Sequence, residues 1–357
     1  MRRLLIATLL AVATSLIATA QRFEWGVDFN TVFDNREGDN KLTDTRTFFH
    51  TQLSPEIGVS LLDGEHRLMG GIVWTQPIGC EWYGHRLSPT LYYQYRGPKG
   101  WNLSLGMFPR ALLLHPMPEY IWNDSTYYTQ HNIRGAATTY QGRNGFFQAV
   151  VDWRAMQSET QREAFNIIIN GEYQRRSSIF VAGGLAMMNH FALTKSATPD
   201  QHIVDNFIVN AYAGLDLSRL VSPLDSLTLR IGPLASITRN RADGVWKVPV
   251  GARLELLLQW KWLQWHNITY AGGRLFPYYS DFHALLDQGE PYYSTRFYNR
   301  TSVAGTIFSN QYVNLRASLD FNVASHNFTF YQRLILRVYI DSSFRKLTKG
   351  YRISSIY

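Results

Sequence analysis

One cysteine, Cys80, stands in 357 residues, so no disulfide forms within the chain and no site built on several thiolates is available. Beyond residue 20 no apolar run approaches the roughly 18 residues that a membrane-crossing helix needs. The longest bursts, Leu256 to Leu258 and Ile167 to Ile169, are short. Neither G-x-S-x-G nor H-E-x-x-H occurs, which removes the common local signatures of serine hydrolases and zinc proteases. The formal charge is +8, yet no clustered basic tract accompanies it, so nucleic acid is not expected as a partner.

At the start, Met1-Arg2-Arg3 precedes the apolar stretch Leu4 to Ala13, and Ala18-Thr19-Ala20 is a small-x-small site. This reads as a secretory signal peptide over residues 1–20, with a single domain over 21–357.

Alternation organises that domain. From Tyr312 to Val323, Val313, Leu315, Ala317, Leu319, Phe321 and Val323 share one face, while Asn314, Arg316, Ser318, Asp320 and Asn322 share the other. Period two means strand, because successive β side chains point to opposite faces. The pattern resumes from Phe328 to Asp341 and recurs along the chain, as in Phe23 to Phe29, Phe146 to Arg154, Phe207 to Ser218, Leu227 to Thr238 and Ala252 to Trp260. Strands of about ten residues with one apolar and one charged face suit a bilayer-crossing barrel.

Short connections such as Asp63 to Glu65, Gly97 to Gly100 and Gly142 to Gly145 alternate with long ones: Asp34 to Thr45, Ala111 to Gln130, Met156 to Glu163, Leu193 to His202 and Phe276 to Tyr292. The fold class expected is all-β, a single transmembrane antiparallel up-and-down barrel of about sixteen strands. Fourteen is the alternative, if Tyr293 to Ile307 does not span and one weak strand is miscounted. Trp260, Trp262 and Trp265 read as part of an aromatic belt. The segment Ala111 to Gln130 reads as a loop that folds into a lumen, and the acids and histidines of the two long aromatic loops (His115, Glu119, Asp124, Asp281, His283, Asp287, Glu290) as solvated loop charge.

Phe49 to Ile72, Asp152-Trp153-Arg154 and the final strand pair resemble Gram-negative outer-membrane β-barrels of the porin kind, as found in the Bacteroidetes. The resemblance covers nearly the whole domain as architecture and brings no diagnostic functional motif. Barrels of this kind usually end close to a terminal aromatic, whereas residues 342–357 follow the last clear strand; Tyr357 is that aromatic if the closing strand extends. The implied location is the outer membrane, with outer-membrane lipid and the barrel-assembly machinery as partners and homo-oligomers within reach.

Charges face lipid only at high cost, so the polar face belongs to the lumen. The candidate pore-lining residues are Arg67, Arg96, Arg110, Asp152, Arg154, Arg230, Arg253, Arg316, Asp320, Arg333 and Arg337. Roughly thirteen Arg against about nine acids on that face point to passive passage of small anionic solutes, since guanidinium binds carboxylate and phosphate. The bland reading is that each Arg pairs with a neighbouring carboxylate and braces the wall. His50, His115, His131, His190 and His326 are the histidines that would serve a barrel-embedded hydrolase, but none stands in a nucleophile motif. The expectation is therefore a channel without catalytic residues, cofactor or metal. A non-conducting surface barrel, a barrel-embedded hydrolase and a soluble periplasmic β protein are its rivals.

Overall fold

A computed structural model describes residues 22–342, apart from 39–41, 44, 82 and 83. The leader expected over residues 1–20 and the terminal aromatic expected at Tyr357 lie outside the described residues.

Strands succeed one another as β1 (Arg22–Glu37), β2 (Arg46–Leu61), β3 (His66–Pro77), β4 (Arg86–Arg96), β5 (Trp101–Pro109), β6 (Asn132–Gly142), β7 (Gly145–Ala155) and β8 (Ala164–Tyr173). There follow β9 (Phe180–Phe191), β10 (Val204–Asp216), β11 (Ser226–Asn240), β12 (Val250–Trp260), β13 (Leu263–Gly272), β14 (Phe297–Ser309), β15 (Val313–Ala324) and β16 (Asn327–Asp341). Each pairs with its chain neighbours, and β1 pairs antiparallel with β16 from Gly26↔Asp341 to Glu37↔Phe330, which closes a barrel of sixteen strands. Closure leaves no unpaired edge, the requirement for a sheet in hydrocarbon. No helix among the described residues is long and apolar enough to cross a membrane.

Alternation decides what each face meets. On β11, Leu227, Leu229, Ile231, Ala235 and Ile237 face outward, while Ser226, Thr228, Ser236 and Thr238 are buried inside. The final pair, β15 and β16, behaves likewise: Leu319, Val323 and Leu334 are exposed, and Asp320, Asn322, Thr329 and Arg333 are buried within. Trp260 and Trp262 are exposed at the turn between β12 and β13, where an interfacial belt belongs. Tight turns gather at that end. Gly100 has φ +88, and a Cβ there would stand 2.3 Å from the Gln141 carbonyl oxygen, so the turn after β4 needs glycine.

The opposite end carries the long connections, and two of them turn inward. A barrel of this strand number has room for an aqueous channel; here residues 110–131 and 273–296 occupy it, and Tyr120, Ile121, Trp122, Tyr292 and Tyr293 form one buried cluster with wall residues such as Phe108, Ile133 and Tyr270. The inward fold expected of Ala111 to Gln130 is thus present, and the second segment joins it.

Boundaries differ in three places. Asp34 to Glu37 continue β1, because Asp34 points inward and is held by Arg36 at 2.7 Å. Tyr293 to Arg296 precede β14, since Tyr292 and Tyr293 belong to a turn packed in the lumen. Residues 78–85 and 241–249 are further long connections at the same end.

A stoppered lumen and an outward rim as candidate functional sites

The two inward segments form a plug held to the wall around the circumference. They first pair with each other: Asn123 N donates to Gln288 O at 2.8 Å, and Glu290 N to Glu119 O at 2.8 Å. Gln148 of β7 accepts from Leu114 N at 3.0 Å and donates to His115 O at 3.0 Å. Tyr120 donates to Asn210 of β10 at 3.2 Å, and His131 meets Gln52 of β2 at 2.9 Å. Tyr292 lies 2.6 Å from Thr329 and 2.7 Å from Tyr331, both of β16. Asn189 of β9 donates to Leu286 O at 2.6 Å, and Asn206 of β10 to Asp287 at 2.9 Å.

Ion pairs reinforce these contacts. Glu119 pairs with Arg253 at 2.9 Å, and Tyr293 donates to the same carboxylate at 2.5 Å. Asp124 joins Arg300 at 2.9 Å and Arg333 at 2.5 Å, while Asp320 of the wall meets both arginines from the other side. Burial opposes ionisation of Glu119 and Asp124, yet the adjoining guanidiniums hold both carboxyls below their ordinary values. At Asp287 burial outweighs the Asn206 hydrogen bond and the Arg154 charge, and pushes the carboxyl up to about 7. Glu290, buried and near the Asp124 charge, is likewise raised to about 7. Burial lowers His131 to about 4.

The expected pore-lining residues all lie on the inner side, and most are committed. Arg67 binds Glu24, Arg110 binds Asp152 at 2.8 Å, Arg230 binds Glu172 at 2.8 Å and Arg337 binds Asp28 at 2.7 Å. Arg154 reaches the Leu286 carbonyl at 3.0 Å, Arg96 donates to Gln94 at 3.2 Å, and Arg316 donates to Gln264. The bland reading, guanidiniums bracing wall and plug, describes their geometry. One expectation is corrected: Asp287 and Glu290 are not solvated loop charges but buried lumenal ones, and Glu119 and Asp124 are largely enclosed beside them by arginines of the wall. They enter because the wall supplies guanidiniums and amides that the exposed loop lacks, and they offset the Arg excess counted on the strands.

A different set of polar groups lies on the outward face, at the edge carrying the long connections. Strand register places Trp153, Phe165, His190, Asp205 and Arg239 in one transverse row, each the direct partner of the next. Trp153 stacks on Phe165 at 4.9 Å and Phe165 on His190 at 4.7 Å. His190 Nε2 is 3.8 Å from a Glu163 carboxylate oxygen. Arg239 and Arg241 each bind Asp205 at 2.7 Å. Of this row only His190 stood out in the sequence as a candidate. The signal for the others was available: Asp205 and Arg239 are charges in the apolar parity of their strands, one step beyond Phe207 and Ile237. The lumen holds another His-acid pair, His266 and Glu255 at 2.9 Å, but Arg253 occupies the same carboxylate at 2.8 Å.

A closed sixteen-stranded antiparallel barrel with an apolar outer wall is the porin fold of outer membranes, and solved structures agree. OprB of Pseudomonas putida is similar over 92% of this chain and 96% of its own, with TM-score 0.52 and 8% identity. OccK2 (OpdF) of Pseudomonas aeruginosa matches over 90% and 98%, with TM-score 0.53 and 8% identity. A loop-deleted OmpT of Vibrio cholerae matches over 90% and 100%, with TM-score 0.51 and 7% identity. At such identities the likeness concerns fold alone. No curated protein sequence matches the chain.

The chain belongs to the lipid A 3'-O-deacylase-type family, which matches residues 17–347. This corrects the expectation of a barrel that is not an enzyme, because the family is named for one. Local motifs missed it for a physical reason: in a barrel, side chains from distant segments meet through strand register, not within one turn.

Proposed function

We propose that this protein is an outer-membrane ester hydrolase that removes an acyl chain from lipid A, working at the outward rim. The observation that carries the reading is the His190–Glu163 pair on the outward face at the plugged end, in a chain of a deacylase-type family. Lipid A is a membrane lipid, so its ester bonds are presented to the outer wall of a barrel and not to its lumen. The plug supports the same reading, since it fills the space that passive diffusion needs.

In this mechanism His190 acts as general base toward a water molecule, and Glu163 stabilises the imidazolium that forms. The water oxygen attacks the ester carbonyl carbon as its proton passes to His190, and the bond between that carbon and the sugar oxygen breaks as the proton reaches the departing sugar oxygen. Phe165 and Trp153 offer an apolar surface for the acyl chain beside the base. The test is release of hydroxy fatty acid from lipid A in proteoliposomes. His190→Gln should lower the rate about 100-fold or more, the usual worth of a general base, in a barrel that stays folded. No release by the wild-type protein would sink the proposal.

A second reading, a weakly selective channel for small anionic solutes lined by Arg316, Arg333 and Arg337, is favoured by the sixteen-stranded fold itself. It requires discrete conductance steps from the wild-type protein in planar bilayers. It also requires reversal potentials that lose anion preference when those three arginines become serine.

A further inference from the structure

The outward faces of β10 and β11 carry an uninterrupted apolar band that ends abruptly in charge. From Leu227 to Ile237 the outward positions of β11 are apolar, a span matching the roughly 9–11 residues that cross the hydrocarbon at a tilt. Arg239 is the next outward position, so it stands at headgroup level, and Asp205 lies opposite it on β10.

There the Asp205 carboxylate is gripped from two sides. Arg239 donates through Nε at 3.1 Å and Nη2 at 2.7 Å. Arg241 donates through Nε at 3.1 Å and Nη2 at 2.7 Å. Two guanidiniums share one carboxylate, which leaves one net positive charge on the group. Asp205 fixes the two forks in place, so little side-chain entropy remains to be lost on binding. Trp246 packs 4.5 Å from the Arg239 guanidinium, and Val245, Trp246 and Val248 are exposed on the connecting loop at 59%, 47% and 55%. Exposed apolar side chains beside a fixed cationic fork match a lipid with an anionic head, its phosphate on the guanidiniums and its glycerol or acyl region on the loop.

We propose that Arg239, Arg241 and the Trp246 loop form a binding site for a phosphate-bearing lipid headgroup on the outer wall. The site deepens the hydrolase reading and rests on it only for the placement of this rim in the outer leaflet. His190 is the neighbouring position to Asp205 on β9, so a lipid held here by its phosphate lies alongside the proposed base.

The experiment places the full-length protein in phosphatidylcholine nanodiscs and measures tryptophan quenching by brominated phosphatidate against brominated phosphatidylcholine. Preferential quenching by phosphatidate is expected, lost on Trp246→Phe and reduced about tenfold in apparent affinity by Arg239→Gln with Arg241→Gln. Arg241→Gln alone, in the turn beyond the strand, should lower the preference without touching the barrel. His190→Gln should keep the preference while losing hydrolysis, so failure here and failure of the hydrolase reading are distinguishable. Equal quenching by the two lipids, or an unchanged preference in both arginine variants, would overturn the site. Displacement of the preference by millimolar inorganic phosphate would overturn the lipid in favour of a free anion.

Discussion

Individual charges in this barrel do two jobs, according to which side of the wall they occupy. Inside, Asp320 is fully buried and meets Arg300 at 3.3 Å, Arg333, and the Ser302 hydroxyl, with Asp124 of the plug completing the group. Removing one member of a buried pair strands its partner, at a cost of about 3–5 kcal/mol. Asp320→Asn should therefore lower the stability of the folded barrel by about that amount, read from the urea midpoint of unfolding in detergent. A change below about 0.5 kcal/mol would show the network to be solvated. Outside, Arg239 and Asp205 break the apolar parity at the strand end. Such a residue is visible in sequence once the parity is known, but its meaning depends on knowing where the strand leaves the hydrocarbon.

The plug segments are the elements whose behaviour depends most on pH. Asp287 and Glu290 have folded values near 7, above their ordinary 3.8 and 4.5. A carboxyl raised on folding contributes stability below its ordinary value and loses that contribution as pH rises through the folded one. Glu119 and Asp124, lowered on folding, act oppositely and lose their contribution only in acid. The attachment of residues 284–290 should thus weaken as pH climbs from about 4.5 to about 7. Amide hydrogen exchange over that stretch, corrected for intrinsic rate, should rise with pH and flatten in Asp287→Asn; no rise would contradict the account. Strands carry their own irregularities. Pro233 cannot donate to the ladder, and the pairing of β10 with β11 skips Ala211 and Tyr212 opposite it, while Asn210 donates to the Pro233 carbonyl at 2.8 Å.

For the whole molecule, the decisive feature is a wide barrel that fills itself. Hydrogen bonds and ion pairs tie the plug to β2, β7, β9, β10, β12, β14 and β16, so loosening one contact does not open the lumen. The wild-type protein in planar bilayers should show no sustained conductance. Replacing residues 112–130 by a short Gly-Ser linker should give discrete steps. Steps of equal size from both proteins would mean that the plug leaves a path and would restore the channel reading.

Alternation in the sequence by itself determined the strands, their approximate number, and the inward and outward assignment of most side chains. These follow from period two and from the cost of charge in hydrocarbon, both local to each segment. Tertiary structure decided the rest. Arg253 finds Glu119, and Arg333 finds Asp124, across more than a hundred residues of chain, so a balanced plugged lumen looks like a basic open one when strands alone are counted. His190, Glu163, Asp205 and Arg239 become neighbours only because antiparallel register lays four separate segments side by side at one rim.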